Sequence, residues 1–342
     1  MTEKESIFYE DIHNLDKVEF VPWNDLENKT ILVTGATGLI GFGLISALNY
    51  INLKYELNIT VLALVRNRKR AVERFQDILD YGMLELVCGS VEDLPLLEQP
   101  IDYIIHGASQ TASKEFITHS VETIQTSIIG TQNLLKLAKS KKVYSFVYLS
   151  SMEVYGYPTR GHKVLENEIG AFSPLNPRNS YPISKIASEA LCCAYSKEYG
   201  IPAKIVRLTQ TFGLGVNYSD NRVFAYFARC AKEKQNIVLK TNGETERSYL
   251  YTMDAVTAIL TIMLKGENGQ AYNAADENTY CSIAEMARKV AFDAGIKVEF
   301  DIQSNSENGF PNTLYMNLDT SSLKGLGWRP LEDIQQGISI KD

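Results

Sequence analysis

Short runs of consecutive apolar residues alternate with longer stretches of helical spacing as far as about Gly213. In "KTILVTGATGLIGFGLISALNYI" an apolar run meets a glycine-rich turn and then a stretch that reads as a buried helix. "NITVLALV" ends at Val65 and leads into "RNRKRAVERF", the start of another helix. "LELVCG", "IDYIIHGAS" and "VYSFVYLSS" read as further strands, and "VETIQTSIIGTQNLLKLAKS" has its apolar residues at helical spacing. Strands separated by helices predict an α/β fold, a doubly wound parallel sheet whose ligands bind at the carboxyl ends of the strands. Beyond Gly213 the pattern loosens into short strand signals such as "IVLK" and "KVEFDI". The expected division is an arm over 1–28, a main domain over 29–212 plus about 246–275, and a smaller α/β region over 213–245 plus about 276–342.

Composition narrows the partners. The chain has 342 residues, 45% of them hydrophobic, enough for a sizeable core. Acidic residues exceed basic ones by 41 to 34, and no Lys/Arg-rich run argues for nucleic acid. The polar start has no signal-peptide core, and no apolar run is long enough for a membrane span. Five cysteines without a CxxC pair and four scattered histidines suggest no metal site and a reduced, cytoplasmic protein.

Candidate chemistry begins at Gly35-Ala36-Thr37-Gly38-Leu39-Ile40-Gly41. After a strand and before a helix, this spacing predicts a dinucleotide site, with the pyrophosphate on the helix N-terminus. At the end of the second strand, where a carboxylate would bind the ribose 2′-hydroxyl, the chain has Arg66-Asn67-Arg68-Lys69. Those cations favour NADP over NAD, the competing reading being a solvated helix start. Tyr181 and Lys185 lie four apart on a predicted helix, so they share a face, and a nearby ammonium is expected to lower the phenol's pKa. Alone, that pair is a common accident.

Together, the glycine motif, Ser151 before Val154-Tyr155-Gly156, and Tyr181-Pro182-Ile183-Ser184-Lys185 resemble the extended short-chain dehydrogenase/reductase family. The resemblance runs from Lys29 to Pro330, through "RLTQTFG", "ERSYLYTMDAV" and "LGWRP". It implies a Rossmann-type NAD(P)-binding domain and a nucleotide-diphosphate sugar as substrate. It also implies a homodimer built on a four-helix bundle from "VETIQTSIIGTQNLLKLAKS" and the Tyr181 helix. By position, Ser151 matches the residue that hydrogen-bonds the reacting hydroxyl, Tyr181 the acid/base, and Lys185 the residue that tunes it and holds the nicotinamide ribose. Ala108 and Ser109 join the cofactor side. Arg247 matches the arginine that grips the diphosphate; Ser109, Gln110, Thr111, Met152 and Gln210 line the expected sugar pocket. Arg222 is a weaker phosphate candidate, with a surface arginine the competing reading.

Glu153 resembles the base that removes a proton beside a transient keto group in 4,6-dehydratases and decarboxylases, the alternative being a rim carboxylate. The neighbouring acid of dTDP-glucose-type dehydratases is replaced by Met152. The expected activity is therefore of the nucleotide-sugar epimerase/dehydratase type. An NADPH-dependent reductase of a nucleotide-linked keto-sugar or ketose, for example CDP-linked, is the alternative, and a silent NADP-binding sensor or scaffold the third reading.

Overall fold

The computed structural model describes residues 12–110, 115–213, 215–216, 218–302 and 313–331. Its centre is a seven-stranded sheet. The strands are β1 (Thr30–Thr34), β2 (Thr60–Val65), β3 (Leu84–Cys88), β4 (Tyr103–His106), β5 (Ser145–Ser151), β7 (Ala203–Leu208) and β11 (Ala271–Ala274), in the order β3-β2-β1-β4-β5-β7-β11. Every pairing is parallel. The order reverses between β1 and β4, and a crevice opens there at the carboxyl ends of the strands. β4 is buried along its whole length and β5 everywhere except Ser151, as expected of strands covered on both faces.

Helices α1 (Leu39–Tyr55) and α2 (Arg68–Leu79) lie on one side with α6 (Thr252–Lys265), and α3 (Ser120–Lys141) and α4 (Ser180–Tyr199) lie on the other. Helix α6 is buried from Thr252 to Met263, so it is apolar around most of its circumference. What covers it lies far away in sequence. Trp328 is buried and donates its indole N–H to Thr257 at 3.1 Å, and Leu331 N donates to Asp254 at 2.7 Å. Leu15, Val18, Val21, Trp23 and Leu26 of the expected arm enter the same core. Deleting a buried indole typically costs about 3–5 kcal/mol. Residues 12–28 of the expected arm and the "LGWRP" segment therefore contribute to the main domain's core.

A second sheet runs β12 (Asp276–Ser282), β10 (Glu246–Tyr251), β14 (Tyr315–Leu318), β6 (Lys163–Val164), with β8 (Gln210–Phe212) pairing β10. Helices α5 (Val223–Lys232) and α7 (Ile283–Ala294), with β9 (Ile237–Leu239) and β13 (Val298–Phe300), complete this smaller region. Residues 246–251, expected in the main domain, thus belong to the second sheet, and the chain re-enters the main layers at Thr252. No described helix is long and apolar enough to cross a membrane.

Candidate active site

The crevice is built from the tightest backbone in the molecule. Gly35 has φ +70°, and a Cβ there would lie 2.6 Å from the Gly107 carbonyl group. A Cβ on Gly41 would meet the Gly35 carbonyl oxygen at 2.4 Å. Only glycine lets the turn pass this close to the β4 loop and the helix pack this close to the turn. Gly38 is the N-cap of α1, and no side chain caps that helix. Its first-turn N–H groups lack a side-chain cap, and Thr37, Leu39 and Ile40 of the turn are partly exposed, so the cradle suits a diphosphate. Beside it, Ala108 N donates to Thr34 Oγ1 at 3.2 Å, and Ser109 Oγ donates to the Gln110 carbonyl at 3.1 Å. Thr111 lies outside the described residues.

His106, at the end of β4, is buried between Thr34 Oγ1 (2.8 Å) and Thr131 Oγ1 (3.2 Å). Burial, aided by the Lys185 charge, pushes it down to about 3. It is a neutral strut rather than a proton shuttle.

The basic run after β2 is engaged locally. Asn67 caps α2 through Arg70 N at 3.0 Å, and Arg68 Nη1 donates to the Leu86 carbonyl at 3.2 Å. Arg66 is exposed and acts on the Glu92 carboxylate. Asn67 and Arg68 therefore have other partners, which weakens that argument for NADP.

Across the crevice, β5 ends in Ser151, whose Oγ accepts from Glu153 N at 3.2 Å and thereby caps the turn Met152–Tyr155. Tyr181, in the first turn of α4, lies close enough to Ser151 for that hydroxyl to favour its ionised form. The Tyr181 ring lies flat on Phe116, with centroids 4.2 Å apart and planes 8° from parallel. Lys185 Nζ donates to the Leu149 carbonyl at 2.7 Å and sits 5.7 Å from the Tyr181 ring centre. The expected lowering of the phenol does not appear. Burial first, then the Glu153 charge, raises it, against the nearby Ser151 hydroxyl and the Arg178 charge. Lys185 itself is drawn down to about 8 by burial.

Glu153 faces Arg178, with Nη2 3.1 Å from Oε2, and the same guanidinium lies over Phe116 at 4.8 Å. Sequence reading missed Arg178. Its signal was Asn176-Pro177, a cap followed by proline, which fixes a turn immediately before α4. Met152, expected to touch substrate, is instead buried with Val154, Val164, Met316 and Leu318, and Thr209 Oγ1 lies 3.3 Å from its sulfur. Arg247 Nη1 donates to Gln210 Oε1 at 3.0 Å, while its buried Nε has no partner. Arg222 is held by Asp220 through Nε and Nη2, and donates to the Thr211 carbonyl. No group of three or more His, Cys, Asp or Glu side chains that could hold a metal occurs among the described residues.

Comparison with known proteins agrees with this architecture. The chain is 27% identical over 331 residues to human dTDP-D-glucose 4,6-dehydratase, covering 91% of this chain and 88% of that one. It is 29% identical to UDP-glucuronic acid decarboxylase 6 of Arabidopsis thaliana, covering 92% and 88%. The fold also matches the NAD complex of dTDP-glucose 4,6-dehydratase from Bacillus anthracis, with a TM-score of 0.75 and 22% identity over 91% of this chain and 94% of that one. The model of the NAD dependent epimerase/dehydratase family matches residues 31–275, well over half of the chain, and the protein belongs to that family of enzymes.

Proposed function

We propose that this enzyme remodels a nucleotide-diphosphate sugar by borrowing and returning a hydride, with proton transfers by Tyr181 and Glu153. The observation that carries this reading is the convergence of Ser151, Tyr181 and Glu153 on one side of the crevice, opposite the glycine cradle. Bound NAD supplies the hydride acceptor and donor. Tyr181 exchanges a proton with the sugar hydroxyl that becomes a carbonyl, and Ser151 hydrogen-bonds the same oxygen. Lys185 holds the tyrosine's surroundings positive. Glu153 removes a proton from the carbon next to that carbonyl, and Arg178 orients the carboxylate. The unpartnered Nε of Arg247 is suited to a diphosphate oxygen.

NAD fits better than NADP, because Asn67 and Arg68 already serve the helix start and β3. A net NADPH-dependent reduction is the second reading. Exposed Arg66 favours it, as does Met152, a residue with no proton to give at the position beside Glu153. The test is a panel of UDP-, dTDP-, GDP- and CDP-sugars, each with NAD and with NADPH, followed by product mass. We expect turnover with NAD and no consumption of reductant. Loss of water, loss of carbon dioxide or an unchanged mass then names the reaction, and steady NADPH oxidation would instead select the reductase.

The protein is further proposed to act as a homodimer in the cytoplasm. Val121, Ile124 and Ile129 of α3 are exposed apolar side chains on a helix that packs along α4, as a four-helix bundle between two copies requires. The five cysteines are unpaired, which suits a reducing compartment. Light scattering at micromolar concentration should give twice the chain mass; a monomer would reject the bundle.

A further inference from the structure

The crevice floor beneath Tyr181 carries more charge than the proposed proton transfers use. Lys185 is 3% exposed, and Glu189, one helical turn later on the same face of α4, is 5% exposed. Arg207 arrives from β7, equally buried. Its Nε donates to Glu189 Oε1 at 3.0 Å and its Nη2 to Oε2 at 2.6 Å, a forked grip on the whole carboxylate. Ser150, the neighbour of Ser151, donates to Oε1 as well, at 2.5 Å. The remaining Arg207 nitrogen, Nη1, lies 2.9 Å from the Tyr155 hydroxyl and 2.7 Å from the Glu166 carbonyl.

Lys185 stands outside this clamp. Its Nζ goes to the Leu149 carbonyl instead, and no ion pair joins it to Glu189 among the described residues. One buried carboxylate thus pairs with Arg207 and acts on Lys185 one helical turn away, and each buried cation would be costly to keep charged without it. Burial draws Lys185 down, and Glu189 is the larger of the two groups pulling the other way, Cys192 being the second. The other groups facing Lys185 bring no negative charge. His106 is held neutral, the Tyr148 ring lies 4.7 Å from Nζ, and burial raises the phenols of Tyr148 and Tyr181.

We propose that Glu189, fixed by Arg207 and Ser150, is a positioning residue that keeps Lys185 an ammonium beside Tyr181, and that Arg207 stops Glu189 from closing on Lys185 directly. The clamp joins α4, β5 and β7, and through Tyr155 it reaches the turn that carries Glu153. This inference rests on the role given to Lys185 above.

The two charges make opposite predictions, which a merely structural role would not. The readout is the ¹⁵Nζ titration of Lys185 by NMR in the full chain, assigned with Lys185→Arg. Glu189→Gln keeps the shape and one acceptor oxygen for Arg207 Nε and Ser150, gives up the bond from Arg207 Nη2 together with the charge, and should lower the Lys185 midpoint by about one pH unit. Arg207→Met frees Glu189 to pair with Lys185, and should raise the midpoint. Should that variant fail to fold, Glu189→Met with Arg207→Met replaces the pair by apolar side chains, a change buried pairs commonly tolerate, and should lower the midpoint like Glu189→Gln. An unchanged midpoint in folded Glu189→Gln overturns the proposal, as does a fall in Arg207→Met. Because no substrate or cofactor is present, failure here leaves the proposed reaction standing. Failure of the sugar panel would equally leave the titration intact.

Discussion

Tyr181→Phe should lower turnover by about 10²–10⁴-fold, the usual worth of one positioned acid/base, while NAD affinity stays nearly unchanged. The expectation follows from what the substitution leaves in place. The ring stays stacked on Phe116 at 4.2 Å, and Pro182, Ser184 and Lys185 of the same helix are untouched. Only the phenol oxygen is lost, for which no hydrogen-bond geometry to Ser151 is seen among the described residues. Burial raises the phenol in the free protein, so removing it also removes a buried polar group that costs stability unless hydrogen-bonded. The melting temperature should therefore hold or rise while activity collapses. Steady-state rates with the sugar found by the panel, NAD titration calorimetry and a thermal melt separate the two effects. Turnover within tenfold of wild type would remove Tyr181 from the chemistry.

Much of this arrangement was legible because it rests on local rules. The glycine spacing works through backbone contacts within the turn and with the β4 loop, and a four-residue step on a helix fixes a shared face whatever surrounds it. The alternation of strands and helices likewise fixed the parallel sheet. What escaped reading depends on distant partners. Trp23 and Trp328, at opposite ends of the chain, enter one core because α6 is apolar around most of its surface and needs cover. Glu246–Tyr251 read like a return to the main sheet, yet its partners β8, β12 and β14 come from three separate places. The basic run at Arg66–Lys69 carries less weight in the structure for a related reason. A cation is legible in sequence, but the carbonyl that engages it, Leu86 for Arg68, is not. The sign of the Tyr181 shift was lost in the same way: the lysine was visible, whereas the burial and the facing Glu153 were not.

Glu153→Gln is the substitution that decides which chemistry the crevice performs. The Gln amide oxygen can still accept from Arg178 Nη2, now 3.1 Å from the carboxylate, and the backbone N–H of residue 153 still reaches Ser151 Oγ. The turn and the Arg178 hydrogen bond are thus kept while the charge and the proton acceptor are removed. If Glu153 is the carbon base, turnover should fall by about 10²–10⁴-fold. A single turnover in deuterated water should then incorporate no deuterium at the carbon beside the transient carbonyl, where wild type incorporates it. Removing the Glu153 charge also removes one of the influences that raise Tyr181, so the first oxidation should survive or quicken. Reduced cofactor should accumulate in the variant and be visible as absorbance that wild type shows only briefly. A rim carboxylate predicts the reverse: a loss of less than tenfold, normal deuterium incorporation and no build-up. A Glu153→Gln enzyme that behaved so would confine the reaction to exchange at the oxidised carbon itself, leaving simple epimerisation as the chemistry that Ser151 and Tyr181 can support alone.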